Sequence, residues 1–276
     1  MLAFAPKAEA FSISPSRFLV TADAGTSQKI AIKITNDQAS GLQYSLSVLG
    51  ASQDNKGYPV FSSGSDDAEN WVHPDSQSVS LAPMETKTVS FNISVPKTAL
   101  PGSHYLGLAV EPANSESGQV SLSGRLVSIL TLQIAGKVNE SLEVIKWRPA
   151  KEFFYGNNWK FELDVENSGD IEVPAACEVS VSDWGGRKLS AQTVPMGNQI
   201  LAGSLRSLKP AIFASGIKWP GIYQAKAQLI YGKTRQTVFA VADVVYIPLW
   251  MIAAGILLIL ILFALAVRLF RPGRQI

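Results

Sequence analysis

The chain has 276 residues and a formal net charge of +2, with 24 Lys and Arg against 22 Asp and Glu, two His and one Cys. A balance this close to neutral leaves no footprint for nucleic acid or another polyanion. The single cysteine, Cys177, excludes a disulfide within the chain, and the length points to two domains of ordinary size.

The first ten residues end in Ala8-Glu9-Ala10, the small-x-small pattern of a signal-peptidase site, behind a short apolar run from Leu2 to Ala5. Residues 1–10 therefore read as the tail of a signal peptide whose start lies upstream of Met1. A plain disordered N-terminus is the simpler alternative.

From Phe11 to Asp243 no stretch sustains a helical period. Short alternating segments separated by clusters of Gly, Pro, Asn, Asp and Ser predict an all-β chain of sandwich type. In the first region strands are expected at 11–14, 17–22, 28–36, 42–50, 76–82, 86–95, 104–111 and 124–135. Ile30, Ile32 and Ile34 share one face, as do Tyr44, Leu46 and Val48. Between them, Asn36-Asp-Gln-Ala-Ser-Gly41 carries residues that form Asx turns and tolerate left-handed backbone.

Residues 51–75 form the longest weakly patterned stretch and are expected to be a long loop, a feature that in a compact domain is functional or disordered. Tyr58, Phe61 and Trp71 make it the candidate contact surface, although pinning the loop onto the core is the simpler reading of Trp71. Asp54, Asp66, Asp67, Glu69 and Asp75 crowd the same stretch. Their spacing matches no calcium loop, so they read as a solvated acidic surface and no metal site is assigned. His73 and His104 are far apart in sequence, and no helix brings them together as ligands.

A bridging strand at 138–147 leads into the second region, with strands expected at 158–167, 178–183, 188–194, 211–213, 221–231 and 237–245. Cys177 falls in an alternating run and reads as a small buried hydrophobe. The two regions rhyme. Each has a strand ending at an Asn before a polar turn (Asn36, Asn167), and each has a Pro-Gly pair shortly before a Tyr that opens a strand (Pro101-Gly102 and Tyr105; Pro220-Gly221 and Tyr223). Pro-Gly favours a type II turn, and the Tyr is placed to send its hydroxyl to a loop backbone as a tyrosine corner does. The expected architecture is two tandem immunoglobulin-like β-sandwiches, 11–136 and 137–243.

The last apolar stretch, 244–267, has no charged side chain and is long enough to cross a hydrocarbon core about 30 Å thick. Tyr246 and Trp250 at its front edge are expected at the headgroup level. Arg268, Arg271 and Arg274 after it form a basic tail, 268–276, which the positive-inside rule places in the cytoplasm. The rest of the chain then faces outward from a single-pass anchor in the cell membrane.

No catalytic constellation emerges. There is no Gly-x-Ser-x-Gly elbow, phosphate loop, His-Glu-x-x-His or Cys-x-x-Cys, so neither an enzyme nor a cofactor is expected.

Several stretches carry a family likeness. They are Phe11-Ser-Ile-Ser-Pro15, Ile30 to Asn36, Leu81-Ala-Pro-Met-Glu-Thr-Lys-Thr-Val89, Pro101-Gly102, Gly124 to Gly136, Val165-Glu-Asn-Ser-Gly169, Val181-Ser-Asp-Trp-Gly-Gly186, Ile200 to Arg206, Pro220-Gly-Ile-Tyr223 and Leu229-Ile-Tyr-Gly232. In order and spacing the chain resembles the bacterial cell-surface proteins that interact with WxL proteins. That resemblance implies a peptidoglycan-binding domain, a host-binding domain, one transmembrane helix and a short basic tail. The implied function is non-enzymatic binding of cell wall, of surface proteins, or of both. A second reading makes the chain an accessory or chaperone-like subunit of a surface-assembly or secretion complex, on the strength of its pair of sandwiches.

Overall fold

A computed structural model of the chain describes residues 11–113 and 124–269, the last of these by its backbone alone. The expected signal-peptide remnant, Arg271 and Arg274 lie outside the described residues. The chain divides into two compact units. The first takes residues up to Ser141 together with 167–172 and 201–204, and the second takes the rest, from Leu142 onward.

In the first unit the strands are β1 (Phe11–Ser14), β2 (Arg17–Ala22), β3 (Ser27–Asn36), β4 (Leu42–Gln53), β5 (Pro59–Ser62), β6 (Val72–Pro74), β7 (Ser78–Leu81), β8 (Thr86–Ser94), β9 (Gly102–Pro112) and β10 (Leu126–Ile134). One sheet has the order β1-β3-β8-β6. The other has the order β2-β10-β9-β4-β5, with β7 also on β4. The chain changes sheets at the cis Ser14–Pro15 bond, so that β1 runs antiparallel to β3 while β2 runs parallel to β10. Ile32, Ile34, Tyr44 and Leu46 are buried between the sheets with Phe91, Leu106, Leu108 and Leu130, as alternation requires. This is an immunoglobulin-like arrangement.

The stretch 51–75 is not a loop. The strand β4 continues to Gln53, turns, and returns as β5, with Pro59 opposite Gln53 and Ser62 opposite Gly50. A 3-10 turn (Asp67–Trp71) follows, capped by Asp66, whose side chain accepts from Ala68 N while Glu69 reaches back in a capping box. The strand β6 then joins β8. The pattern is weak because β5 and β6 are short end strands, of which only Val72 is fully buried, and because Asp54, Asp66 and Glu69 serve the backbone. Asp54 Oδ1 accepts from Lys56 N at 2.9 Å and Tyr58 N at 2.8 Å and so closes the hairpin.

In the second unit the strands are β11 (Leu142–Pro149), β12 (Phe153–Phe154), β13 (Asn158–Asn167), β14 (Ala175–Ser182), β15 (Lys188–Val194), β16 (Leu205–Leu208), β17 (Ala211–Phe213), β18 (Gly221–Tyr231) and β19 (Gln236–Tyr246). The sheets are β11-β13-β16, with β17 also on β13, and β12-β19-β18-β14-β15. The short β12 runs parallel to β19, as β2 does to β10. Trp159, Phe161, Leu163 and Val165 project from β13 into the core, and Trp147 stacks on Phe161 with ring centroids 4.7 Å apart. Cys177 is buried there, and burial pushes its thiol up to about 11.

After Ile247 and Pro248 the chain enters one helix, α1 (Leu249–Leu269). The residues Val244 to Tyr246, expected to begin the apolar span, belong to β19. The helix is long and apolar enough to cross a membrane, and from Leu249 to Arg268 none of it is buried by protein.

Candidate protein-binding surface

Alternation along β9 sends Leu106, Leu108 and Val110 into the core of the first unit. It therefore turns Tyr105, Gly107 and Ala109 to the opposite face. Register extends that face sideways. Ala109 lies opposite Ser47 and Val127, Gly107 lies opposite Leu49 and Ile129, and Leu19 on β2 lies opposite Thr131. The solvent side of a two-layer antiparallel sheet is ordinarily polar. Here it is apolar or small across three central strands: Leu49, Tyr105, Gly107 and Ala109 are already buried, Val127 and Ile129 are half-buried, and Leu19 at the margin is 68% exposed.

Phe61 joins this surface from β5. Its ring lies over Gly107, where a β-carbon would stand 2.7 Å from Phe61 Cδ1. The two end strands of the sheet, β2 and β5, each pair on one side only among the described residues. Their outer backbone groups are thus available to an added strand.

The three residues expected to form one contact surface are separated. Tyr58 stands at the hairpin and is 66% exposed. Phe61 lies on the outer sheet face. Trp71 packs against the core from the end of the 3-10 turn, with its ring edge-on to His104 at 4.7 Å. The outer face itself was not anticipated, because Gly107 and Ala109 carry no signal of their own; only their register with Leu49, Val127 and Ile129 reveals it.

Asp54, Asp66, Glu69 and Asp75 are occupied within the fold. Asp66 holds His104 at 2.8 Å, and Asp75 holds Lys29 at 2.8 Å. Glu69 accepts from Gly64 N, Ser65 N and Asp66 N. No group of three potential metal ligands occurs among the described residues.

The two tyrosines that follow Pro-Gly differ. Tyr223 forms the expected corner, its hydroxyl donating to Trp219 O at 2.8 Å. Tyr105 donates instead to the Glu172 carboxylate at 2.9 Å, within the first unit. Burial and that neighbouring carboxylate both push its phenol above the usual range.

At the start of α1 one expectation needs correction. Tyr246 is only 5% exposed and packs in the second unit's core, 5.6 Å from the Trp159 ring and 6.4 Å from that of Tyr223. Alternation places it beside Val244 on the inner face, so its ring packs into the core and is not an exposed interface anchor. Trp250 is exposed, and its Nε1 donates to Lys218 O at 3.4 Å. It meets a partner the sequence reading passed over, Trp219, edge-on at 6.2 Å. Arg268 lies in the last turn of the helix.

No protein-family model matches the chain, and no curated protein matches it. Solved structures do. A chain from a chaperone–tip adhesin complex of CFA/I fimbriae biogenesis aligns at a TM-score of 0.50 and 10% identity, over 84% of this chain and 98% of that one. The class 5 fimbriae chaperone CfaA aligns at 0.48 and 10% identity, over 84% and 99%. A chain from the Salmonella enterica SafA pilin–SafB chaperone complex aligns at 0.42 and 13% identity, over 87% and 98%. At the first of these levels of likeness the chain shares the fold of a fimbrial chaperone–adhesin component, and the likeness extends to fold alone.

Proposed function

We propose that the chain is a membrane-anchored, non-enzymatic subunit that binds another protein, with two tandem immunoglobulin-like sandwiches held at the membrane by α1. It serves the assembly of surface structures in a chaperone-like way. The observation that carries this is the outer face of the β2-β10-β9-β4-β5 sheet: half-buried Val127 and Ile129 and exposed Leu19 flank the buried Leu49, Gly107 and Ala109, and the strands at both ends pair on one side only among the described residues. The area that Val127, Ile129 and Leu19 still expose is removed from water by a partner, and a single-paired strand supplies main-chain hydrogen bonds to an extended segment. The fold shared with a component of a chaperone–tip adhesin complex supports an assembly role. The basic residues after α1 support a cytoplasmic C-terminus, with both units outside.

The stretches that resemble WxL-interacting proteins add peptidoglycan as a competing partner. One experiment separates the two. The full chain in detergent micelles, and its Ile129→Asp variant, are offered to insoluble peptidoglycan and to a surface-protein extract. The reading requires retention of a specific surface protein that Ile129→Asp abolishes while melting is unchanged. Retention on peptidoglycan alone, equal for both proteins, would overturn it.

A further inference from the structure

The end of the second unit from which α1 departs carries an exposed aromatic surface that its own fold does not use. Gly221 lies opposite Tyr246 and Ser182 lies opposite Gln224. The turn after β14, the segment before β18 and the end of β19 are therefore at one end of the unit. Phe153 opposite Val245, and Phe213 opposite Asn158 just after the β12–β13 turn, bring those turns to the same end. There Trp184 is 94% exposed and Trp219 73% exposed, and Tyr155, Phe213 and Ile222 are exposed beside them. Phe153 on β12 is 41% exposed at this end as well; among the described residues of this unit's strands, the remaining large exposed apolar side chains, Ile145, Phe239 and Val241, lie along strands rather than at this end.

An apolar surface needs an occupant, and the chain names one. Only Ile247 and Pro248 separate β19 from α1. Three residues beyond Tyr246 span at most about 10 Å. The 21 residues of α1 rise about 31 Å, which matches a hydrocarbon core of about 30 Å with no slack. Leu249 then marks the edge of the core, and the aromatic end falls at the depth of the headgroup layer, roughly 5–8 Å thick on each side. Trp and Tyr rings favour that layer because one edge is apolar and the other donates hydrogen bonds. The Trp219–Trp250 contact and the Trp250 Nε1 bond to Lys218 O join the helix start to this surface directly.

We propose that the Trp184 and Trp219 end of the second unit lies in the headgroup layer of the bilayer that α1 enters, so that the domain, and not the helix alone, is held by lipid. This rests on the membrane-anchor reading above.

The test uses the full chain in phosphatidylcholine nanodiscs. Nitroxide labels at Gly185→Cys and Lys218→Cys leave both tryptophans in place, and Cys177 is buried. Ile259→Cys in α1 and Thr234→Cys, in the turn between β18 and β19 at the opposite end, are the references. Relative accessibility to oxygen and to a water-soluble nickel chelate gives depth. The expected result is that positions 185 and 218 read between the two references. If Ile259 reads lipid while 185 and 218 read as Thr234 does, the anchor stands and this proposal falls. If Ile259 itself reads aqueous, both fall. A second measurement needs no label: lipid brominated near the headgroups quenches the wild-type tryptophan emission, and the Trp184→Phe, Trp219→Phe double variant loses part of that quenching. Equal quenching of the two proteins would also overturn the proposal.

Discussion

The ring of Phe61 lies over Gly107 so closely that a β-carbon at position 107 would stand 2.7 Å from Phe61 Cδ1 and 2.7 Å from Val127 Cγ1. Both separations are shorter than carbon atoms tolerate. Gly107→Ala must therefore displace the β5 hairpin side chain, Val127, or both, and overpacking of this kind costs about 1–3 kcal/mol. Phe61→Ala removes one of the two clashes. Thermal unfolding in detergent should show the double variant losing less than the sum of the two single losses. Strict additivity would mean that Phe61 does not close over Gly107.

Asn36 and Asn167 end corresponding strands, and both are fully buried. Asn36 Nδ2 donates to Ser40 O at 2.8 Å and Ala82 O at 3.0 Å, while its Oδ1 accepts from Gln38 N and from the Tyr44 hydroxyl, each at 3.1 Å. Asn167 Nδ2 donates to Ile171 O at 2.8 Å, and its Oδ1 accepts from Gly169 N at 3.0 Å. Each side chain satisfies the backbone of the turn that follows it. Alanine at either position should cost about 2–4 kcal/mol through buried groups left unmade. Asn36→Asp keeps the shape but sets a carboxylate against two carbonyls, so it should cost at least as much. An Asp variant that melts like the wild type would show that shape, and not donation, matters at this site.

These asparagines also show what could be read from sequence. The recurrence of Asn before a polar turn was visible because the same hydrogen-bonding problem is solved twice. The long strands were visible because β3, β4, β13 and β18 bury one face, and burial enforces a period of two. By contrast, β5, β6 and β12 are two to four residues long, and the hydrogen bonds that make them strands are long-range. Helix and strand compete at Tyr246 because an unbroken apolar run hides the alternation that buries it with Val244. The outer face of the first unit was hidden for a different reason. Gly107 and Ala109 matter there by being small, and smallness becomes a surface only when register sets Leu49 and Val127 beside them.

Arg206 is a charged side chain with 1% exposure in the second unit. Its guanidinium donates to backbone carbonyls of the turn before β16: Nη1 to Met196 O and Asn198 O, and Nη2 to Gln199 O. A fork of donors suits several carbonyls converging from one loop, whereas an ammonium on a flexible stem does not reproduce that geometry. Arg206→Met should lower stability by on the order of 3 kcal/mol, since charge-assisted bonds are lost and carbonyls stay buried. Arg206→Lys should recover less than half of that loss. Denaturant midpoints of the three proteins decide it, and a lysine variant as stable as the wild type would show that charge alone suffices.

Asp66 couples the 3-10 turn to β9, holding His104 Nδ1 at 2.8 Å and accepting from Ala68 N at 2.9 Å. Burial by itself would raise its pKa, but the hydrogen bonds from His104 and Ala68 N outweigh it and leave the carboxyl below the usual aspartate value. A group whose pKa is depressed by folding binds its proton more readily in the unfolded chain. Its stabilising contribution is therefore complete above the unfolded value of about 3.9 and is lost as pH falls through the folded value. Asp66→Asn lacks this titration. The stability difference between wild type and variant should accordingly be largest near pH 5 and shrink steadily as pH falls to about 2, as thermal melts across that range would show. Glu69, Asp54 and Asp75 are lowered as well, so both proteins weaken in acid, and only the gap between them reports Asp66. A gap that stays constant with pH would mean that the pair with His104 is no stronger in the folded chain than the water it replaces.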